Sequence, residues 1–124
     1  MTEGGQYMNE LVLDEKIINI VKSEVVKMTS ELMKDDLVEV ILYGSCARGD
    51  YTEDSDIDIA LITKSGRMEA KEYTEALASI ATTLAMKYFV VVNFVCLPYE
   101  EFMEKKTWYA YFRNIEREGE VLYG

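Results

Sequence analysis

The apolar residues near the start of the chain recur with the spacing of an amphipathic helix. The recurring positions, at steps of three or four residues, are Ile17, Val21, Val25, Met28 and Leu32. Such a stripe predicts a helix that buries one face, and Asp14 just before it suits the N-cap position. Residues 1–10 lack this pattern, so we expect a flexible leader there and a single domain over residues 11–124.

The rest of the chain alternates between strand-like and helix-like patterns. The predicted strands cover residues 38–43, 56–62, 89–97 and, at an edge, 121–123, with Pro98 closing the third. The predicted helices cover residues 68–87, with Tyr73, Leu77, Ile80 and Leu84 facing inward, and residues 108–118, ending at Gly119. This order predicts an α/β or α+β domain, in which helices flank a small mixed β-sheet.

Four aromatic residues are clustered near the last predicted helix. They are Trp108, Tyr109, Tyr111 and Phe112. A small sheet has a face there that needs cover, so we expect this cluster in the core, with any excess beyond one helical stripe left for an interface.

Charge and composition exclude several classes of function. The chain has 13 Lys and Arg against 23 Asp and Glu, and its net charge of −10 disfavours unaided nucleic-acid binding and suits docking on a basic partner. It has no histidine, which excludes Ser-His-Asp and Cys-His catalysis and His-ligated zinc. Cys46 and Cys96 are too few for a Cys-only metal site, and with no visible signal peptide or membrane-length apolar run we expect a cytoplasmic location.

The residues most suggestive of chemistry are a Gly-Ser turn and two aspartates. Gly44-Ser45 ends a predicted strand and is followed after ten residues by Asp56-x-Asp58. Glycine allows a tight turn and a close approach of the backbone to a ligand, and a helical turn that begins at Ser45 offers free N–H groups to phosphate oxygens. Side chains two apart on a strand share a face, so Asp56 and Asp58 are expected to repel each other unless a cation such as Mg²⁺ lies between them.

This pattern resembles the nucleotidyltransferase fold of the DNA polymerase β superfamily. The fuller pattern, Gly44-Ser45-x-Ala47-Arg48-Gly49 with Ser55-Asp56-x-Asp58, looks like the minimal nucleotidyltransferases (MNT), the antitoxins of HEPN/MNT pairs. The resemblance implies that Asp56 and Asp58 are catalytic and hold Mg²⁺. It also implies that Gly44, Ser45, Arg48 and Ser55 bind the nucleotide, with ATP as the substrate. An ion pair of Arg48 with Asp50 or Asp54 is an alternative role for that side chain.

One position departs from the pattern of that family. The resemblance implies a third catalytic carboxylate on the strand after the long helix, and the polar residue of that strand is Asn93. An amide oxygen can still ligate a metal ion, but it carries no charge and cannot accept the proton of an attacking hydroxyl. A buried asparagine bonded to backbone is the structural alternative.

Three functional hypotheses follow from these residues. The first is an MNT-type antitoxin that transfers AMP from ATP to a tyrosine of a cognate HEPN ribonuclease toxin, with catalysis weakened or abolished by Asn93. The second is a non-catalytic antitoxin that acts by binding the toxin. The third is a small-molecule nucleotidyltransferase, for whose additional substrate domain 124 residues leave no space.

Overall fold

Helices flank a mixed sheet of four strands in the computed structural model, which describes residues 12–124. The strands are β1 (Leu37–Tyr43), β2 (Ile57–Thr63), β3 (Val92–Pro98) and β4 (Glu120–Tyr123). The α-helices are α1 (Glu15–Met33), α2 (Ser45–Arg48), α3 (Arg67–Ala70), α4 (Thr74–Tyr88), α5 (Tyr99–Lys105) and α6 (Ala110–Glu118). The leader expected over residues 1–10 lies outside the described residues.

The order of the strands across the sheet is β3-β2-β1-β4. β1 pairs antiparallel with β2 and with β4, whereas β2 pairs parallel with β3. The parallel pair is connected by α3 and α4, the crossover that two parallel neighbours require. The expected mixed sheet and its C-terminal edge strand are therefore confirmed.

Side chains of the sheet pack against helices on both faces. Along β2, Ile57, Ile59 and Leu61 belong to the core beneath α1 and α4, while Ala60 and Ile62 belong to the core beneath α5 and α6. Both faces of this strand are buried beyond Asp58, which explains why its second half is continuously apolar.

The first predicted helix is confirmed, with a different buried stripe at its C-terminal end. The Asp14 carboxylate caps α1 by accepting a hydrogen bond from the N–H of Ile17 at 2.9 Å. Thr29 and Met33 are buried, whereas Met28 and Leu32 are only partly buried. Thr29 was overlooked because it is polar, but its hydroxyl donates to the Val25 carbonyl at 2.7 Å and is satisfied inside the core.

Three predicted boundaries are corrected by the structure. The helix expected over residues 68–87 is divided into α3, a 3₁₀ turn at Lys71–Tyr73, and α4. The third strand begins at Val92 because Phe89, with φ of 57°, ends α4 in the left-handed conformation. The last helix begins at Ala110 because Tyr109 has extended backbone. No helix of residues 12–124 has the length and apolarity needed to span a membrane.

The expectation that the aromatic cluster is core was wrong for three of its four members. Phe112 is buried, but Trp108, Tyr109 and Tyr111 are 63%, 45% and 41% exposed. The periodicity of α6 turns Phe112 and Ile115 toward the sheet and leaves Tyr111 on the surface, while Trp108 and Tyr109 precede the helix.

Candidate active site

Two carboxylates and an amide meet where β2 and β3 begin. Asp58 and Asn93 are direct neighbours in the parallel pair, and Asp56 lies one residue before β2. The Asn93 Nδ2 group donates to Asp56 Oδ2 at 3.0 Å and to Asp58 Oδ1 at 3.1 Å. The expected shared face of the two carboxylates is therefore present, and Asn93 bridges them.

The surroundings of Asn93 exclude the structural alternative expected for this residue. Its side chain is exposed, and both of its hydrogen bonds go to carboxylates. The alternative of a buried asparagine bonded to backbone is therefore wrong. The partial positive charge of its N–H groups now lies between two negative groups, which offsets part of their mutual repulsion.

Gly44 places the turn after β1 against the same carboxylates. Its backbone has φ of 77° and ψ of −159°, a region that residues with a side chain essentially do not occupy. A Cβ atom at this position would lie 2.5 Å from Asp58 Oδ2. Both conformation and space thus require glycine, and Ser45, the first residue of α2, directly follows Gly44 in the chain.

Arg48 and Ser55 have structural partners rather than contacts with the carboxylate pair. Arg48 pairs with Asp50 at 3.3 Å and with Glu118 at 3.5 Å, which confirms one of the two expected ion pairs. The Ser55 hydroxyl accepts a hydrogen bond from the N–H of Thr52 at 2.9 Å and closes the turn that leads to Asp56.

Comparisons with known proteins agree with this geometry. The family profile described as nucleotidyltransferase domain matches residues 15–117. The chain belongs to the nucleotidyltransferase domain family. It is 35% identical over 116 residues to a protein of Methanocaldococcus jannaschii named "putative protein adenylyltransferase", covering 94% of this chain and 100% of that relative. A second protein of that organism with the same descriptive name is 38% identical over 78 residues, covering 63% of this chain and 76% of the relative.

Solved structures confirm that the fold is that of a nucleotidyltransferase. A crystal structure described as a toxin-antitoxin with AMP-PNP superposes with a TM-score of 0.55 at 21% identity, covering 83% of this chain and 73% of that chain. A crystal structure of the toxin-antitoxin MntA-HpeT gives a TM-score of 0.51 at 17% identity, with the same coverages.

The carboxylates of this nucleotidyltransferase domain fit a hard divalent cation. One oxygen of each carboxylate already converges on a single positively polarised group, the Asn93 amide, and carboxylate oxygens are ligands that Mg²⁺ prefers. Within residues 12–124, no three His, Cys, Asp or Glu side chains are grouped closely enough to hold a metal ion. The amide oxygen of Asn93, water or phosphate oxygens would therefore complete the coordination of an ion held by Asp56 and Asp58.

A tyrosine pair beside the nucleotidyltransferase site was missed from the sequence. Tyr43 is the cross-strand partner of Asp58, and its hydroxyl lies 2.9 Å from the hydroxyl of Tyr111 on α6. Burial raises the pKa of Tyr43, and the neighbouring Tyr111 and Asp58 raise it further, which disfavours an ionised phenol beside the carboxylates. The position of Tyr43 immediately before Gly44 was the available signal, but its partner is far along the chain.

Cys46 has a structural role beside the site. Its side chain is buried, and the thiol donates to the Asp56 carbonyl at 3.5 Å. Burial raises the pKa of this thiol, which disfavours the reactive thiolate. Cys46 and Cys96 are both free.

Proposed function

We propose that this domain is an MNT-type antitoxin, which transfers AMP from ATP to a tyrosine of a cognate HEPN ribonuclease toxin. The observation that carries the proposal is the convergence of Asp56, Asp58 and Asn93 beside the Gly44-Ser45 turn. The protein adenylyltransferase name of a relative that aligns over its full length supports a protein as the acceptor. The proposal includes a cytoplasmic location, where ATP and such a toxin would both be available.

Each residue of the site has a role in this proposal. Asp56 and Asp58 would hold Mg²⁺, which would neutralise charge on the phosphates when bound. Gly44 lets the triphosphate approach the backbone, and Ser45 directs its hydroxyl and the first N–H groups of α2 toward phosphate oxygens. Arg48 and Ser55 support the loop between these two groups through their contacts with Asp50 and Thr52.

The proposed partner is a toxin because of the fold neighbours and the charge. Two solved structures with TM-scores of 0.55 and 0.51 are described as toxin-antitoxin assemblies, and one of them contains AMP-PNP. The net charge of −10 complements the basic surface expected of an RNA-cleaving protein.

Asn93 favours a second candidate, a non-catalytic antitoxin that inhibits by binding. The side chain cannot accept the proton of an attacking hydroxyl, and its amide already satisfies one oxygen of each carboxylate. In this second candidate the protein binds the toxin and inhibits it without transferring AMP.

Intact-mass spectrometry of the toxin separates these candidates. The proposed HEPN toxin is incubated with Mg-ATP and either the native protein or the Asp56→Ala, Asp58→Ala double variant. The proposal expects the mass of one or more AMP groups on a toxin tyrosine with the native protein only. The double variant Glu53→Ala, Asp54→Ala removes the same charge from the loop that leads to Asp56 and is expected to retain transfer. An inhibited toxin of unchanged mass would favour the non-catalytic candidate.

A further inference from the structure

An open groove of about 730 Å³ follows the outer side of β3, away from the neighbouring β2. The α3 and α4 helices form its other wall. The residues that line it are Arg67, Met68, Ala70, Lys71, Thr74, Leu77, Ala78, Ala81, Val92, Asn93, Phe94 and Cys96. We call it the β3 groove. One face of the strand carries Val92, Phe94 and Cys96, and the other face carries Asn93. Because residues of both faces line the groove, the groove extends around the free edge of the sheet.

That edge carries backbone groups available for pairing. The Val91 carbonyl accepts a hydrogen bond from the N–H of Ile57 and so faces β2. Backbone direction alternates along a strand, so the N–H and C=O groups of Val92, Phe94 and Cys96 face the groove. None of them has a backbone partner among residues 12–124.

The β3 edge also lacks the usual protection against an added strand. No charged residue occurs from Val92 to Leu97, and the one proline stands at the last position of the strand. The opposite edge strand, β4, is only four residues long and carries Glu120. An unprotected edge at one side alone is typical of a surface that binds an extended segment.

The position of the β3 groove relative to the carboxylates indicates that the acceptor of the transferred group binds in it. Gly44 and Ser45 follow β1 on one side of Asp58, and Asn93 stands on β3 on the other side. In a displacement at phosphorus the entering and leaving oxygens are roughly in line. If the leaving pyrophosphate lies at the Gly44-Ser45 turn, the attacking hydroxyl enters from the β3 side, where the groove begins.

We propose that the β3 groove binds an extended acidic segment of the acceptor protein, which adds to the sheet as a strand next to β3. This inference rests on the proposed function. The segment places its hydroxyl at the Asn93 end. The hydroxyl oxygen forms a bond to the α-phosphorus of ATP, the bond from that phosphorus to pyrophosphate breaks, and the hydroxyl proton passes to water.

The charges in the groove specify an acidic segment. Lys71 and Arg67 are the charged residues of the lining, in a chain whose net charge is −10. Arg67 forms an ion pair with Glu101, in which the Arg67 Nε donates to Glu101 Oε2 at 2.8 Å. Lys71 has no ion pair among the described residues. Two strongly acidic copies of this chain would repel each other, which disfavours a second copy as the occupant.

The groove geometry predicts the spacing between the hydroxyl and the acidic side chain. α3 follows the C-terminal end of β2, and Arg67 contacts α5 just beyond the end of β3, so the cations lie at the far end of the strand. From Asn93 to Cys96 the strand rises about 10 Å, at roughly 3.3 Å per residue. The acidic side chain is therefore expected three or four residues from the acceptor hydroxyl.

Fluorescence anisotropy with synthetic peptides tests this binding without ATP. The probes are labelled extended peptides with one tyrosine and either Glu or Lys three and four residues away. The native protein is expected to prefer the Glu peptide by about 3–10-fold, and Lys71→Glu is expected to reverse that preference. Lys16→Glu, at an exposed lysine of α1 outside the groove, is the charge-matched control and is expected to keep the native preference.

Backbone methylation of the peptide tests strand addition separately from charge. Methylation of the backbone N–H groups that would face β3, at every second residue of the peptide, is expected to abolish binding. Methylation of the intervening residues, whose N–H groups would face away from β3, is expected to leave binding unchanged. The proposal is overturned if Lys71→Glu keeps the native preference, if both registers bind equally, or if no peptide binds below roughly 1 mM. The proposal is also overturned if light scattering detects a dimer that is lost when a bulky substitution is introduced in β3. Because no ATP is present, failure here leaves the proposed transfer reaction to its own test.

Discussion

Gly44 and Gly49 both have a positive φ, but their ψ angles of −159° and 2° and their surroundings differ. A Cβ at Gly44 would contact the Asp58 carboxylate, whereas a Cβ at Gly49 would meet nothing within 4 Å. We expect Gly49→Ala to lower the free energy of unfolding by about 1 kcal/mol through backbone strain alone. Gly44→Ala is expected to lower it by about 2–3 kcal/mol and to weaken Mg-ATP binding, because Asp58 must move.

Thermal melts and calorimetric ATP titrations of the two variants check this difference. Gly49→Ala serves as the matched control, since it introduces the same methyl group at a positive φ in the same loop. Equal loss of stability and of ATP affinity in both variants would show that the contact between residue 44 and Asp58 has no special importance.

Asn93→Asp tests the residue that most limits the proposed chemistry. The substitution removes the two hydrogen bonds to Asp56 and Asp58 and adds a third negative charge. Without metal we expect the variant to be less stable by about 1–3 kcal/mol, and Mg²⁺ should restore most of that loss. With Mg-ATP present, transfer of AMP to the toxin should be about 10²–10⁴ times faster, since a proton acceptor is gained.

Melting temperatures in chelator and in Mg²⁺, together with intact mass of the toxin, report both effects. Asn114→Asp adds the same charge at an exposed position of α6 and is expected to change neither result. If Asn93→Asp and the native chain transfer AMP at the same rate, Asn93 is not the missing catalytic position.

At the scale of elements, Asp36 links three segments that approach the far end of the sheet. Its carboxylate accepts hydrogen bonds from the Ser65 N–H at 2.7 Å, the Ser65 hydroxyl at 2.6 Å and the Tyr73 hydroxyl at 2.8 Å. Burial alone would raise the pKa of Asp36, but these hydrogen bonds outweigh burial and hold it below the usual 3.8. Burial and the neighbouring Asp36 raise the pKa of Tyr73 to about 12.

The lowered pKa of Asp36 predicts how stability depends on pH. An acid whose pKa is lower in the folded state contributes stability above its unfolded pKa and loses it as the pH falls through the folded value. Asp36→Asn is therefore expected to lower the free energy of unfolding by about 1–3 kcal/mol at pH 7. The difference should shrink below about pH 4, where the native carboxyl is increasingly protonated.

Urea denaturation of Asp36→Asn at several pH values measures this dependence. Asp35→Asn changes the adjacent exposed carboxylate and is the control, with an expected effect near zero. If the loss of unfolding free energy in Asp36→Asn stays constant from pH 7 to acidic pH, the role of the ionised carboxylate is contradicted.

Local patterns predicted most elements because each pattern depends on a face that is buried. The stripe of α1 and the apolar run of β1 both follow from which side chains contact the core. The break between α3 and α4 was not predictable, because residues 67–88 keep helical composition and no proline or glycine marks the 3₁₀ turn. Propensity identifies such a segment as helical without locating a change of helix type.

At the scale of the whole molecule, the candidate site could be predicted where its residues are close in the sequence. Contacts between residues that are far apart in the sequence could not be predicted. Asp56, Asp58 and the Gly44-Ser45 turn lie within one motif, and the family resemblance implied that Asn93 stands beside them. The links from α6, Tyr111 to Tyr43 and Glu118 to Arg48, join residues that are 68 and 70 positions apart. No local period predicts them, because they depend on how α6 packs across the sheet.

The central claim is that Asp56 and Asp58 form the Mg²⁺-dependent nucleotide site, and calorimetric titration of a non-hydrolysable ATP analogue tests it most directly. The native chain and the charge-matched Glu53→Ala, Asp54→Ala variant are expected to bind the analogue at least about tenfold more tightly with Mg²⁺ than without it. The Asp56→Ala, Asp58→Ala variant is expected to bind weakly and to show no dependence on Mg²⁺. Equal affinity of all three proteins, with and without Mg²⁺, would contradict the account.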